Sequence, residues 1–244
     1  MEERIEDATG GRVESHSFTE ADAAPASTLP SLPARLASVF VTPANLMQQL
    51  AKEPKWIGAL LVGAFVVGLS MALVPVDIIL EAQRQAALDA GREMPELPQA
   101  ALTLMRIVIP ATSVIMTAVM SFVFAGVCTV VFAFILGDEG TYKQYLAVIS
   151  HAWFIAVLFG LLITPLRISQ GDVQLTLNLG SFLPFLPDGY FSNLFRLLDL
   201  TQIWASLVIA QGIHAIDRRR SFASAATILL ALLVGVSAIM ANFI

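Results

Sequence analysis

The sequence predicts an all-α membrane protein: a bundle of five transmembrane helices, with an N-terminal interfacial amphipathic helix and a short extended segment in the loop before the fourth span. Three observations carry this. Only 14% of the 244 residues are charged and 57% are hydrophobic, whereas soluble domains are nearer a quarter charged. Long uncharged runs recur, separated by polar connections, two of them short turns rich in Gly, Asp and Arg. The charge deficit is uneven: residues 1–35 hold seven of the 19 acids and three of the 14 basic residues. The net charge of −5 therefore resides mainly in an acidic N-terminal stretch. It argues against nucleic-acid binding, which needs a clustered basic surface.

Residues 1–30 read as a disordered acidic cytoplasmic tail, with few large apolar side chains. No signal peptide precedes the first apolar run. Residues 31–55 read as the interfacial helix: Thr42 is a candidate N-cap with Pro43 at N1, Leu46, Met47 and Leu50 follow at helical spacing, and Lys52 and Lys55 reach headgroups. Residues 56–244 form the membrane domain, with spans at about 56–75, 103–136, 145–165, 194–216 and 223–243.

The first span opens on Trp56, an interface anchor, and carries Ala64, Gly68 and Ala72, a small-residue face suited to close helix packing. A polar connector with Pro95 and Pro98 follows; its early part could extend the first helix beyond the membrane. Residues 101–136 admit one long helix kinked at Pro110 or two short spans; with no polar turn inside, one helix is preferred. Gly137-Asp-Glu-Gly140 is a tight connector, and the third span closes at Pro165 and Arg167. Val173, Leu175, Leu177 and Leu179 alternate with polar residues, a strand period that needs a pairing partner elsewhere. Asp217-Arg-Arg-Arg220 makes the last turn. Its arginines, with Lys52, Lys55 and Lys143, put the N-terminus in the cytoplasm and the C-terminus outside.

The fourth span carries the candidate intramembrane polar site. Asp199, Gln202 and Ser206 form an outer group, and Gln211 and His214 an inner one. Asp199 is expected roughly 8 Å inside the outer boundary, either as a proton or cation site or as a carboxylate that caps or tethers the loop above it. His151 in the third span and His214 could approach Gln211. With Asp199 they would resemble a zinc set, but Asp199 lies near the opposite face, so no metal is expected. Ser150 beside His151 points about 100° away from it, as helix neighbours do, and no nucleophile, zinc-protease or phosphate-loop motif is present. Cys128, the only cysteine, reads as a buried hydrophobe. No enzyme activity and no cofactor are expected.

Several segments carry a family resemblance. Val39-Phe-Val-Thr-Pro-Ala-Asn-Leu46 followed by Lys52-Glu-Pro-Lys-Trp-Ile57 resembles the N-terminal signature of bacterial Yip1-domain proteins. Gly137-Asp-Glu-Gly-Thr-Tyr-Lys-Gln-Tyr-Leu-Ala-Val148 is similar to that family's second turn and third-span start. Leu175-Thr-Leu-Asn-Leu-Gly180, and Leu198-Asp-Leu-Thr-Gln-Ile-Trp204 with Gly212, are similar to its later loop and fourth span. The resemblance covers residues 36–243 and implies a cytosolic N-terminal region before five transmembrane helices. Eukaryotic members work in vesicle traffic with Rab GTPases and partner family members, and the resemblance brings no catalytic residues. The expectation is a bacterial inner-membrane scaffold or organising factor. Its partners would be the lipid bilayer, other membrane proteins and further copies of itself. The competing reading is a transporter of a small solute, ion or lipid that uses the polar stripe.

Overall fold

In the computed structural model, residues 29–243 are described, so the reading of an acidic tail over 1–30 lies almost wholly outside them. The described chain is helical throughout, with no strand. In order the helices are α1 (Leu32–Val41), α2 (Pro43–Lys52), α3 (Ile57–Leu73), α4 (Val76–Asp89) and α5 (Gln99–Cys128). They continue as α6 (Tyr142–Ala152), α7 (Phe154–Leu162), α8 (Thr164–Gln170), α9 (Tyr190–Leu197), α10 (Leu200–Ile216) and α11 (Phe222–Met240).

The long apolar segment is one helix, not two spans. α5 keeps Pro110 inside it and runs on through a π-helical stretch, so the helical run is Gln99–Ile135. At 37 residues it is about 55 Å long, well beyond the ~30 Å of hydrocarbon. This run, Tyr142–Gln170 and α11 are each long and apolar enough to cross a membrane. The bent pair α3 and α4 makes a fourth if taken together, and α10 has 17 residues.

Three expectations about element boundaries are corrected. Pro165 does not end the helix; it sits in the first turn of α8, where a missing N–H costs nothing, and the helical run reaches Gln170. The alternating stretch 173–179 is not a strand. It pairs through a single bridge, with Leu179 N–H donating to Leu198 O (2.9 Å) and Leu200 N–H to Leu177 O (2.8 Å). The fourth span does not run unbroken from 194. It stops at Leu197 and restarts at Leu200, because the Asp199 carboxylate takes the backbone N–H groups that an unbroken helix would leave to backbone carbonyls.

The largest correction concerns residues 31–55. They do not form one continuous helix. They fold as a hairpin, α1 and α2, turning at Thr42 with Pro43 in the first turn of α2. The apolar face is buried in protein: Val39, Met47 and Leu50 are fully buried, in one core with Ile149, Ile209 and Ile213. The foot of the hairpin is tied where Gln144 Nε2 donates to Ala51 O at 2.7 Å. Its tip reaches far up the bundle, because the Phe40 ring packs edge-on against Phe154 (6.3 Å) and Trp204 (5.7 Å). Phe154 stands twelve residues from Tyr142 and Trp204 twelve from Ile216, about 18 Å along each axis. An amphipathic pattern shows which face is buried, not whether lipid or protein buries it.

α10 is the central post. Ala205, Ser206, Val208, Ile209, Ala210, Gly212 and Ile213 are buried against α2, α6 and α11. Of the small-residue face on α3, Ala64 is buried and Gly68 meets α5, where an added Cβ would stand 2.6 Å from Val114 Cγ2. Ala72 is exposed, because α3 ends one residue later and the chain turns by 85° into α4. Ser70 and Thr164 hydroxyls hydrogen-bond at 2.7 Å and tie α3 to α8.

Candidate functional site

The polar residues of the bundle gather in two knots at opposite ends. At the end where α10 begins, Asp199 is its N-cap. Oδ1 accepts from Thr201 N–H (2.6 Å), from Gln202 N–H (3.3 Å) and from the Thr201 hydroxyl. Asp199 is 8% exposed. Asn178, opposite it in the bridge, folds the loop with its own amide: Oδ1 accepts from Ser181 N–H (2.9 Å) and Nδ2 donates to the Thr176 hydroxyl (3.0 Å). Arg167 Nε donates to Leu175 O at 2.8 Å and pins the start of the same loop. No ion pair joins Asp199 to Arg167 or Arg196 among the described residues; the carboxylate holds backbone instead.

This geometry makes a prediction. Asp199→Ala removes a cap and should cost about 1–2 kcal/mol, while Asp199→Asn, itself a good cap, should stay within about 0.5 kcal/mol of wild type. Thermal unfolding in detergent measures both. An Asn variant as damaged as the Ala variant would mean that the charge, not the cap, is what matters there.

At the other end, two turns that lie 82 residues apart in sequence are clasped. Arg220 binds Asp138 side-on, with Nη2 to Oδ1 at 2.7 Å and Nε to Oδ2 at 3.0 Å. Asp217 accepts from Glu139 N–H (2.9 Å), from Arg219 N–H (2.8 Å) and from the Arg219 guanidinium (2.7 Å). His214 joins from α10. A carbonyl can only accept, so its Nδ1 carries the hydrogen given to Arg220 O at 2.7 Å, and Nε2 faces the Arg218 guanidinium at 3.4 Å. Gly137 supplies the left-handed turn (φ +72°), and Gly140 the room: a Cβ there would stand 2.2 Å from the Tyr145 hydroxyl.

The Arg219 guanidinium, then the Glu139 N–H, hold the Asp217 carboxyl well below the usual carboxylate range. A depressed folded value means stability fully present above the unfolded pKa of about 3.9 and lost as pH falls below it. In a thermal-unfolding series from neutral pH to pH ~3, Asp217→Asn should flatten the acid limb. An unchanged acid limb would place the acid sensitivity elsewhere.

The remaining candidates do not converge. His151 is fully buried on α6; its Nδ1 donates to Ala147 O at 2.8 Å, and Nε2 has no partner among the described residues. Ser150 donates to Leu146 O, its own preceding turn. Gln202 is exposed, Ser206 buried and Gln211 half-buried, and no hydrogen bond links one of these side chains to another. Thus His151, His214 and Asp199 engage three separate sets of partners. Among the described residues no three His, Cys, Asp or Glu side chains are grouped to hold a metal ion.

Asp138, Arg220 and Asn178 carry the knots and were not picked out by residue pattern. The available signal was charge complementarity: an acidic four-residue turn and a basic one, both between spans on the same side. Arg35 was also missed. It is 8% exposed, donates to Lys55 O at 3.3 Å, and its Nε is unpartnered among the described residues.

A family model described as the Yip1 domain matches residues 37–239, most of the chain. No curated protein and no solved structure matches.

Proposed function

We propose that this chain, which belongs to the Yip1-domain family, is a non-enzymatic scaffold of the bacterial inner membrane that binds other membrane proteins. The observation that carries this is the apolar surface of α5. Ile115, Val119 and Val123 are exposed in successive turns, and only Ser121, Ala125 and Cys128 of α5 are buried. Asp199, Asp138 and Arg220, by contrast, are engaged in tethers within the chain. A carboxylate taken up as a helix cap supports the scaffold over the transporter.

In this reading the chain crosses five times, through α3, α5, the α6–α8 run, α10 with α9, and α11. The N-terminus is cytoplasmic and the C-terminus outside. The Gln144–Ala51 and Arg220–Asp138 contacts gather three polar turns at one end, with Lys52, Lys55, Lys143 and the arginines. The Tyr190 hydroxyl donates to Ala238 O at 3.2 Å, at the other end. The gathering of these basic residues at one end suits a positive-inside orientation. At 17 residues α10 is about 26 Å long, close to the hydrocarbon thickness.

The test is a photo-crosslinking residue at Ile115, Val119 or Val123 in native membranes. Discrete protein adducts are expected. Adducts with lipid alone at all three positions would overturn the scaffold.

A further inference from the structure

We propose that α4 is a membrane-surface helix, lying along the interface of the outer leaflet with its apolar sector in lipid of neutral, zwitterionic headgroups. The proposal rests on reading α3 as a membrane-crossing helix. α4 follows α3 through Val74 and Pro75 and leaves it at 85°. If α3 runs across the bilayer, a helix at a right angle to its end runs along the surface.

Packing within the chain holds α4 only in part: none of its residues is buried, and Val76, Ile79 and Leu80 are half-buried. A 14-residue helix alone in water is marginal, so a covering surface is needed to keep it formed. The residue pattern supplies one. At 100° per residue, Val76, Ile79, Leu80, Ala82, Ala86 and Ala87 fall in one sector, with Gln83 the single polar residue among them. Asp77, Glu81, Arg84, Gln85 and Asp89 fall in the opposite one, with Ile78 and Leu88 the apolar exceptions. The polar sector satisfies itself: Arg84 pairs with Glu81 at 3.1 Å and Gln85 Nε2 donates to Asp89 at 3.0 Å. The apolar sector points back toward the spans. Val76 and Ile79, with Asp77 beside them, line a cavity of about 210 Å³ in the inner corner of the elbow, facing Met71, Met105, Arg106 and Ile109.

Charge selects the lipid. Three acids against one base give α4 a net charge of −2 (1 − 3). Basic interfacial helices gain from anionic lipid; this one does not.

The experiment uses the full chain in phosphatidylcholine–phosphatidylethanolamine vesicles, with single cysteines spin-labelled. Cys128 is buried, so the native chain is a low background for labelling. Ala86→Cys and Ala87→Cys probe the apolar sector, Glu81→Cys and Gln85→Cys the polar one. Leu61→Cys and Phe65→Cys, exposed on α3, are the membrane controls. The collision ratio of oxygen to a water-soluble nickel chelate should be several-fold higher at 86 and 87 than at 81 and 85, and high at 61 and 65. Added phosphatidylglycerol should leave 86 and 87 no deeper.

If 61 and 65 read lipid while all four α4 positions read water alike, the surface helix is overturned and the spanning α3 stands. If 61 and 65 also read water, the spanning reading fails and takes this one with it. A marked deepening on adding phosphatidylglycerol would overturn the neutral-surface assignment.

Discussion

Gly212→Val should unfold the bundle at markedly lower temperature, at a cost of about 3 kcal/mol, the upper end of what overpacking a core costs. Gly212 lies within α10, four residues before its end, where α6 packs against it. An ideal Cβ there would stand 2.3 Å from Val148 Cγ1, 2.6 Å from Cγ2 and 3.0 Å from Cβ. Cβ cannot swing aside without moving the backbone, and Val148 is fully buried, so neither helix has room to yield. Valine adds two methyl groups to that conflict. Gly212→Ala should cost less, because removing a glycine from within a helix returns up to about 1 kcal/mol of helix propensity. The decisive measurement is a cycle with Val148→Ala in detergent. The Gly212→Ala/Val148→Ala pair should be less destabilised than the sum of the two single changes. Additive changes would mean that α6 and α10 are not in this close contact.

Asp138→Ala should destabilise the chain by about 3 kcal/mol, and Arg220→Ala by a similar amount, since removing one partner of a buried pair leaves the other uncompensated. The Asp138 side chain is 5% exposed and that of Arg220 19%, so the penalty sits near the lower end of the range for buried pairs. Removing both should cost much less than the sum, and exchanging them, Asp138→Arg with Arg220→Asp, should recover part of the loss. Denaturant unfolding of the four variants measures the coupling. If the single losses simply add, the clasp contributes nothing as a pair, and the two turns are held together by their helices alone.

Both predictions depend on contacts that the residue pattern only partly foretells. The long helix through Pro110 was legible because no polar turn interrupts residues 101–136, and hydrocarbon tolerates no unsatisfied backbone. The helix start at Pro43 was legible because proline's fixed φ suits the first helical position, although the Thr42 side chain makes no cap hydrogen bond. The burial of Leu46, Met47 and Leu50 under other helices was not, because lipid and protein interior are equally apolar and yield the same amphipathic pattern. Asp199 drew attention as a charge within an apolar run. Its role followed only when the helix was seen to restart there, with Oδ1 on the Thr201 and Gln202 N–H groups. The weak strand period near Leu177 foretold a need for pairing, but not that two hydrogen bonds to Leu198 and Leu200 would meet it.

By itself the sequence determined the solvent and the class of the protein. Shortage of charge and apolar runs separated by polar connections commit the chain to helices in a membrane, since each helix satisfies its own backbone hydrogen bonds. Only the tertiary structure decided which polar residues meet. Asp138 and Arg220 are 82 residues apart, and neither has a local pattern that names the other. The same holds for the α1–α2 hairpin and the 85° turn into α4: periodicity reports a helix's faces, while its direction and cover depend on helices far away in the chain.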